Sequence, residues 1–426
     1  MKRFVSIAVV FFGCLLTMLP ISAGEKCRVL ISTDIGGTDP DDNQSIVHLM
    51  MYSDLFDIEG LVSSPSFGNG SKEEILRMID MYEADFGKLS AANKSLMTPD
   101  ELRGLCRQGR RGLAPYVGYD VATEGSDWIV ECGRRDDPRP LYVLVWGTLE
   151  DVAQALHDAP DIAPKLRVYW IGGPNKKWGV NSYAYVAENF PNLWMIENNA
   201  SYRGFISSKK KADEFNAGYY EKYIKGAGLM GSDFINYYDG LVKMGDTPSL
   251  LYMMDGDPAD PCGESWGGEF ERMTVSPRVC FESTTTVEDT VPVYSVVEFR
   301  FRGPVKDESE VGKTWFTFRI DRQDWAGVYL GDGVYGVRYS PKAPAVLTYE
   351  TTSAEVRELD GLTGTLVVSG LWGDASGVDG YKLGDRWFTD KRDAELFDGV
   401  WQGSLTVGKW RKDVLTDWAK RWSWLK

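Results

Sequence analysis

Short apolar runs alternate with longer amphipathic stretches through the first part of the chain. Five of these runs predict strands, at residues 28–33, 57–63, 141–146, 166–171 and 193–196. Ser71 and Glu74 have the spacing of a capping box and predict the start of a helix that runs toward Gly87. Strands that alternate with helices predict an α/β fold, in which a mostly parallel sheet is covered by helices on both faces.

The pattern changes near residue 276. Strand-like runs follow one another without helices, at residues 295–302, 314–320, 328–330, 336–339 and 346–349. Turns rich in glycine, proline and aspartate separate them, which is typical of a β-sandwich. After residue 373 the chain is rich in tryptophan, and the spacing from Trp410 to Trp424 predicts a helix that is buried against the first domain.

The first 23 residues have the features of a secretory signal peptide. Lys2 and Arg3 precede an apolar stretch at residues 4–19, and a small-residue site follows at 21–23. The apolar stretch is shorter than the ~20 residues that a membrane-spanning helix needs. We therefore predict a periplasmic or secreted protein without a transmembrane segment after signal removal. Five of the six cysteines remain, and this compartment permits pairing, so we expect at most two disulfides.

These features together predict how the chain is organised. A length of 426 residues indicates two or three domains. The predicted segments are a signal peptide at 1–23, an α/β domain at 24–270, a β-sandwich at 276–372 and a tryptophan-rich tail at 373–426 that packs back on the α/β domain.

The chain carries a net charge of −15. Binding to a nucleic-acid polymer needs clustered lysine and arginine, and the sequence has no such cluster, so we expect no nucleic-acid partner. The acidic residues are instead concentrated in one loop, which follows the first predicted strand.

This loop contains Asp34, Asp39, Asp41 and Asp42 and leads into an apolar helix. Asp39 as the N-cap and Pro40 at the first helical position would explain part of the pattern. Capping needs only one or two carboxylates, however, and four of them repel one another unless a cation or protons compensate their charge. A ligand set made only of oxygen atoms suits a hard ion such as Ca²⁺.

The order Thr33-Asp34, glycine, then Asp41-Asp42 resembles the aspartate fingerprint of inosine-uridine nucleoside hydrolases. Residues 27 to about 265 are more similar still to the nucleoside hydrolase-like domain of secreted bacterial proteins that are sometimes labelled cellulose-binding. The loop between Asp34 and Asp41 is longer here than in the hydrolases, so an identical loop geometry is not expected.

The resemblance implies a role for each matching residue. Asp34 would bind calcium and act as the general base toward the attacking water, and Asp42 would be a second calcium ligand. Asp41 would orient sugar hydroxyls. A backbone carbonyl near Glu150 would complete the calcium shell together with Asp246, the last calcium-binding aspartate.

Three further residues are candidates for sugar binding. Asn198, which follows the fifth predicted strand, is the candidate for the asparagine that contacts the sugar, with Asn189 and Asn69 as competitors. Trp266 belongs to a Ser-Trp-Gly-Gly turn, and Glu264 directly precedes it; this turn is similar to one near the pocket of the secreted relatives. The β-rich region at about 276–370 resembles the immunoglobulin-like module found beside many secreted glycoside hydrolase domains.

The implied activity is hydrolysis of an N- or O-glycosidic bond by a calcium-activated water, on a small-molecule or oligosaccharide substrate. One departure weakens the nucleosidase form of this hypothesis, because Gly245 stands where some nucleoside hydrolases carry a histidine acid beside the last aspartate. The only two histidines, His48 and His157, are expected to be structural or solvated. The alternatives are a non-catalytic protein that binds a cellulose-like glycan and a structural protein stabilised by calcium.

Overall fold

The computed structural model describes residues 25–370 and 380–426. The predicted signal peptide at 1–23 lies outside the described residues. Among the helices that are described, none combines the length and the apolar character needed to cross a membrane.

The strands of the described residues are β1 (Cys27–Thr33), β2 (Phe56–Ser63), β3 (Cys106–Gln108), β4 (Leu141–Val145), β5 (Leu166–Ile171), β6 (Trp194–Asn198), β7 (Phe270–Arg272), β8 (Val275–Ser276), β9 (Arg278–Phe281), β10 (Thr290–Pro292), β11 (Val296–Arg302), β12 (Thr314–Ile320), β13 (Gln323–Gly331), β14 (Val334–Tyr339), β15 (Ala345–Thr352), β16 (Thr363–Ser369), β17 (Tyr381–Lys382) and β18 (Trp387–Asp390). The α-helices are α1 (Asp41–Met51), α2 (Lys72–Ala92), α3 (Pro99–Gly104), α4 (Glu124–Arg134), α5 (Glu150–Asp158), α6 (Gly173–Trp178), α7 (Val180–Asn189), α8 (Gly228–Phe234), α9 (Thr247–Met254), α10 (Ser404–Gly408) and α11 (Arg411–Trp422).

The first sheet has eight strands in the order β3-β2-β1-β4-β5-β6-β18-β7. All neighbours pair in parallel except β18 and β7, which are antiparallel. The five predicted strands correspond to β1, β2, β4, β5 and β6, and the predicted mostly parallel sheet is confirmed. The position of β18 is not apparent from the sequence pattern, because a strand of four residues gives a weak periodic signal.

Alternate residues of the central strands point to opposite faces of this sheet, as strand geometry requires. Leu144 and Ile196 belong to a core that also contains the apolar residues of α1, α2, α9 and α11. Val143 and Met195 belong to a second core with those of α4, α5 and α7. Helices therefore cover both faces, and the carboxyl ends of β1, β4, β5 and β6 share one edge of the sheet.

Strands β9 to β16 form a second, mostly antiparallel sheet of eight strands, in the order β10-β16-β15-β12-β13-β14-β11-β9. Phe299 of β11 contacts Phe318 of β12 at 4.7 Å and Tyr349 of β15 at 5.0 Å between ring centroids. Two other strands separate β11 from β12 within the sheet, so these ring contacts show that the sheet curves round its own core. We call residues 278–369 the β-module. Its sandwich form and its immunoglobulin-like relationship stay predictions, as do the limits of the domains.

The tail packs against the first core through α11. Trp418 and Trp422 are fully buried. The Trp418 ring lies 5.2 Å from that of His48 in α1 and 6.0 Å from that of Tyr219. The burial of these two large side chains explains the helical tryptophan spacing, since a fully buried aromatic side chain stabilises the fold by a few kcal/mol.

Four thiols, those of Cys27, Cys106, Cys132 and Cys262, are free in the described part of the chain. Burial raises the pKa of Cys106 and of Cys132 to about 12, so both stay protonated thiols at neutral pH. Because all four thiols are free, no disulfide joins any of these four residues.

His48 is buried between Tyr52 and Trp418, and neither of its ring nitrogens has a hydrogen-bond partner among the described residues. Burial, together with the nearby charge of Arg421, lowers the pKa of His48 to about 3. The folded protein therefore keeps His48 neutral, whereas the unfolded chain binds a proton near pH 6.5.

We expect this difference to destabilise the fold as the pH falls from about 6.5 toward 3, by about 1.4 kcal/mol per pH unit for this one group. Urea unfolding of the wild type and of His48→Leu at pH 6.5, 5.5 and 4.5 measures the effect. The variant should lose stability less steeply, whereas His157→Gln, at an exposed position, should follow the wild type. Parallel curves for wild type and His48→Leu would contradict the assignment.

Candidate functional site

The acidic loop connects β1 to α1 at the carboxyl edge of the first sheet. Helix α1 begins at Asp41, with Pro40 as its cap residue and no side-chain capping bond. The prediction of Asp39 as N-cap and Pro40 as the first helical residue is therefore wrong. The Asp39 carboxylate binds the ammonium of Lys243 instead, at 2.8 Å from Oδ1, so it is not available to the helix.

Asp246, the residue before α9, also lies at the acidic loop, although it is distant from that loop in the sequence. The amide side chain of Gln44 in α1 accepts a hydrogen bond from the backbone N–H of Lys243 at 2.8 Å. Thr247 Oγ1 lies 3.1 Å from Ser45 Oγ, also in α1. These buried polar contacts fix the start of α9 against the start of α1, and thereby bring Asp246 to the acidic loop.

The side chains of Asp41, Asp42 and Asp246 each offer one oxygen atom, and the three atoms lie within 4.8 Å of one another. Asp34 lies against Asp42, and their carboxyl groups share a hydrogen bond. The hydroxyl of Thr33 also donates to Asp42 Oδ1. Carboxylates more than 200 residues apart in the sequence thus form one group, at the edge where ligands bind in open α/β sheets.

Burial and mutual repulsion raise the pKa values of these carboxyl groups above the ordinary value for aspartate. Burial raises the pKa of Asp34 to about 7, and the charge of Asp41 adds to the rise. The pKa values of Asp41, Asp42 and Asp246 lie well above the ordinary value, because of burial first and then the charges of neighbouring aspartates. Without a compensating positive charge, the group favours bound protons over full ionisation.

The residues present fit a calcium ion. Two oxygens that bind the same Ca²⁺ at ~2.3–2.6 Å can lie at most ~5 Å apart, which matches the spacing of the three carboxylates. Asp246 Oδ2 is buried and has no hydrogen-bond partner among the described residues. A buried carboxylate oxygen without a partner is costly unless something else binds it, so this atom points to an additional ligand.

The turn after β4 packs against Asp34. A Cβ atom on Gly147 would lie 2.9 Å from Asp34 Cβ, so only glycine allows this approach. Glu150, at the start of α5, is buried, and its side chain accepts a hydrogen bond from the backbone N–H of Ala114 at 3.4 Å. Burial raises the pKa of Glu150 to about 7, although hydrogen bonds from Thr148 and Ala114 oppose the rise. The predicted role of the backbone carbonyl near Glu150 as a metal ligand stays a prediction.

A cavity of about 440 Å³ opens above the acidic group. Asp34, Asp41 and Asp246 belong to its lining, together with the aromatic side chains of Phe67, Trp146, Trp178 and Tyr202. The rings of Phe67 and Trp178 lie 4.6 Å apart. Neither histidine lines this cavity, since His48 lies in the core and His157 stacks on Tyr119.

Asn198 does not line this cavity. Its Nδ2 donates to the hydroxyl of Tyr169 at 2.9 Å, and its Oδ1 accepts from the backbone N–H of Tyr202 at 3.0 Å. The competing candidates lie elsewhere as well, because Asn189 bonds to the carbonyl of its own helix and Asn69 is exposed outside the cavity lining.

The Ser-Trp-Gly-Gly turn also lies outside the cavity lining. Glu264 forms an ion pair with Lys409 of the tail region. Trp266 is half-buried and packs against the first core. The structure therefore brings Asp34, Asp41, Asp42 and Asp246 together, but places neither of these two residues with them.

Sequence reasoning missed Asn175, which follows the Gly-Gly turn after β5 and lines the cavity. Its Nδ2 donates to the backbone carbonyls of Trp146 at 2.7 Å and of Ile171 at 3.0 Å. Its Oδ1 accepts from the hydroxyl of Ser66 at 2.5 Å. Asn175 thus ties together the ends of β4 and β5 and the loop after β2, and its place just after a strand was the signal that could have identified it.

Tyr202 and Arg203 also line the cavity and were missed. They lie in the turn after β6, whose backbone N–H groups bind the carboxylate of Asp390 in β18, at 2.8 Å from the N–H of Ser201. The strand that returns from the β-module therefore positions this wall of the cavity. No local sequence pattern connects Asp390 to a turn nearly 190 residues earlier.

The sequence model of the family described as "Cellulose-binding Sde182, nucleoside hydrolase-like domain" matches residues 28–270, which is more than half of the 426 residues. Comparison with curated protein sequences gives no match.

Several solved structures are similar to the chain. One is a nucleoside hydrolase-related hypothetical protein from Saccharophagus degradans that is associated with carbohydrate metabolism, with a TM-score of 0.50 and 18% identity, covering 81% of this chain and 100% of that one. Another is an inosine-uridine preferring nucleoside hydrolase from Bacillus anthracis, with a TM-score of 0.39 and 16% identity, covering 59% of this chain and 86% of that one. At 18% identity, the similarity to the Saccharophagus protein supports a shared fold and nothing further.

The predicted resemblance to the nucleoside hydrolase-like domain is confirmed by the family match and by the parallel sheet. The resemblance of the β-module to an immunoglobulin-like domain is not part of that match, which ends at residue 270. The chain belongs to the family described as cellulose-binding Sde182, nucleoside hydrolase-like domain.

Proposed function

We propose that the protein is a secreted or periplasmic hydrolase that cleaves the glycosidic bond of a sugar-containing substrate with the help of one calcium ion. The observation that carries this proposal is the convergence of Asp34, Asp41, Asp42 and Asp246 beneath a cavity with aromatic walls. The family description names cellulose binding, and the similar Saccharophagus protein is associated with carbohydrate metabolism, which favours a sugar as the ligand.

Asp41, Asp42 and Asp246 would hold the ion, with Asp34 beside Asp42. Bound calcium would lower the pKa of a coordinated water and neutralise the buried carboxylates. Asp34 would accept a proton from the attacking water, since its side chain lines the cavity beside Asp42. Asp41 would orient sugar hydroxyls through its carboxylate, because its side chain also lines the cavity.

The second candidate is a glycan-binding protein that uses the same cavity without turnover. The observation that favours it is the composition of the cavity lining, which contains carboxylates and aromatic rings but no imidazole to protonate a leaving group. Ring faces that bind sugars would serve this function equally well. Both candidate functions use the same acidic group to bind calcium, and they differ in whether the glycosidic bond is cleaved.

We expect calcium to stabilise the protein. Adding Ca²⁺ to protein treated with a chelator should raise Tm by several degrees, since ligand at one hundred times its Kd contributes about 2.7 kcal/mol to the free energy of unfolding. Asp246→Asn should remove most of this increase, because the amide keeps the shape of the side chain but loses its charge.

Asp39→Asn is the matched control, because Asp39 belongs to the same loop but pairs with Lys243 outside the three-carboxylate group. It should change the calcium-dependent shift in Tm only slightly. Scanning calorimetry with and without Ca²⁺ measures all three proteins. An equal shift in wild type and Asp246→Asn would count against the proposed site.

We expect Asp34→Asn, assayed at saturating calcium, to lower kcat by about 10²- to 10⁴-fold, since this is the usual contribution of a general base. The substrate comes from a screen of nucleosides and of plant and host oligosaccharides, with release of reducing sugar as the readout. Asp100→Asn, which changes a fully exposed carboxylate on α3, is the control and should retain wild-type kcat.

The same measurements separate the two candidates. Calcium-dependent glycan binding by the wild type without release of reducing sugar would select the binding protein. A wild-type kcat for Asp34→Asn would rule out Asp34 as the base, but it would not contradict the proposed calcium site.

A further inference from the structure

The cavity above the acidic group is not formed by the nucleoside hydrolase-like region alone. Gln323, the first residue of β13, and Lys342, between β14 and β15, belong to its lining. Both lie in the β-module, beyond residue 270 where the family match ends. A ligand that fills the cavity would therefore contact residues of both parts of the chain.

Two contacts fix the β-module at this rim, and they lie on either side of Gln323. The ammonium of Lys177, which is almost fully buried, binds Asp321 Oδ2 at 2.7 Å. The ring of Trp178 stacks on that of Trp325 with centroids 5.9 Å apart and an angle of 11° between the planes. Gln323 is thus held two residues from an anchor in each direction, so its place in the cavity wall is built into the interface.

The amide of Gln323 has an unused acceptor. Its Oε1 is buried without a hydrogen-bond partner among the described residues. A buried polar atom of this kind usually has a partner, and a ligand in the cavity that Gln323 lines can supply one. A hydroxyl group of a ligand would satisfy it.

Two cations line the same cavity without an acidic partner. Lys342 is exposed, and its ammonium lies 5.8 Å from the centroid of the Trp178 ring. The Arg203 guanidinium lies 3.8 Å from the centroid of Trp401, and its Nε is buried without a hydrogen-bond partner in the described part of the chain. Neither residue forms an ion pair with any residue that the structure describes, although Asp34 and Asp41 line the same cavity.

We propose that the β-module and the turn after β6 form an outer subsite that selects a saccharide carrying an anionic group, a carboxylate or a sulfate. Lys342 and Arg203 bind the anion, the exposed side chain of Phe67 packs against a sugar ring, and Gln323 accepts a hydroxyl hydrogen. This inference rests on the proposed function, because it uses the same cavity. It names the substrate class: an acidic oligosaccharide instead of a neutral one.

The physical basis is the difference in binding free energy between an anionic saccharide and a neutral one. An anion gains charge-assisted hydrogen bonds from cations that have no other acidic partner. The repulsion it would feel from the acidic floor is reduced, because Asp39 is paired with Lys243 and a bound cation would neutralise the remaining carboxylates. A neutral sugar gains only the stacking and hydroxyl contacts.

The test uses the full-length protein with calcium and titration calorimetry. The probes are oligogalacturonates, oligoglucuronates and oligomannuronates of two to four sugars, each beside its methyl ester, and a 6-sulfated disaccharide beside its unsulfated form. We expect at least one acid to bind about tenfold or more tightly than its neutral partner, since a hydrogen bond to a charged group contributes enough for this difference. The arm that shows the preference identifies carboxylate or sulfate as the recognised group.

Lys342→Gln should weaken binding of that acid at least fivefold more than binding of its neutral partner. Lys306→Gln is the matched control, because Lys306 also lies over a tryptophan of the β-module, at 3.6 Å from the Trp315 ring centroid, but outside the cavity lining. It should keep the wild-type preference. Raising the salt concentration should reduce the preference, because charge interactions are screened.

Equal affinity for every acid and its neutral partner would overturn this inference, as would a preference that persists unchanged in Lys342→Gln. In either case, calcium-dependent binding of neutral saccharides would leave the proposed function intact. A protein that binds no saccharide of either kind with calcium present would overturn both.

Discussion

The fold brings four carboxylates together at one edge of a sheet, and the rest of the site depends on how their repulsion is balanced. Two charges 4.8 Å apart repel by about 3 kcal/mol at an effective dielectric constant of about 20. Asp41, Asp42 and Asp246 lie at the starts of α1 and α9, but a helix N-terminus contributes only about 0.3 to 1 kcal/mol. The helix ends are therefore too weak, and a bound cation or protons must supply the balance.

The walls of the cavity depend on a strand that arrives late in the sequence. Asp390 of β18 accepts hydrogen bonds from three successive backbone N–H groups of the turn that carries Tyr202. Glu197 at the end of β6 accepts from the buried ammonium of Lys176 at 2.7 Å, and Lys176 lies in the helix that also carries Trp178. Because β18 follows the β-module in the sequence, the strand that pairs with β6 and positions the turn with Tyr202 comes from beyond the second sheet.

Some of the site residues can be predicted from local sequence patterns, whereas others are identified only by contacts between distant parts of the chain. Asp34, Asp41 and Asp42 can be predicted from the sequence, because four acids in one short loop are more than helix capping needs. The family resemblance points to Asn198, near the end of a predicted strand, but Asn175 lies near the end of another strand and lines the cavity, and its amide ties three loops together. Both positions satisfy the same local rule, so only the hydrogen bonds of the folded chain distinguish them.

The amino-acid pattern alone predicts the parallel sheet with helices on both faces, the change to a β-rich region near residue 276 and the acidic loop after β1. Each of these is expressed within a few residues, as a period of apolar positions or a run of one residue type. The folded chain is needed to see that β18 enters the first sheet, that Asp246 lies beside the acidic loop and that Gln323 and Lys342 complete the cavity. These outcomes depend on packing and hydrogen bonds between distant segments, which no local window of sequence contains.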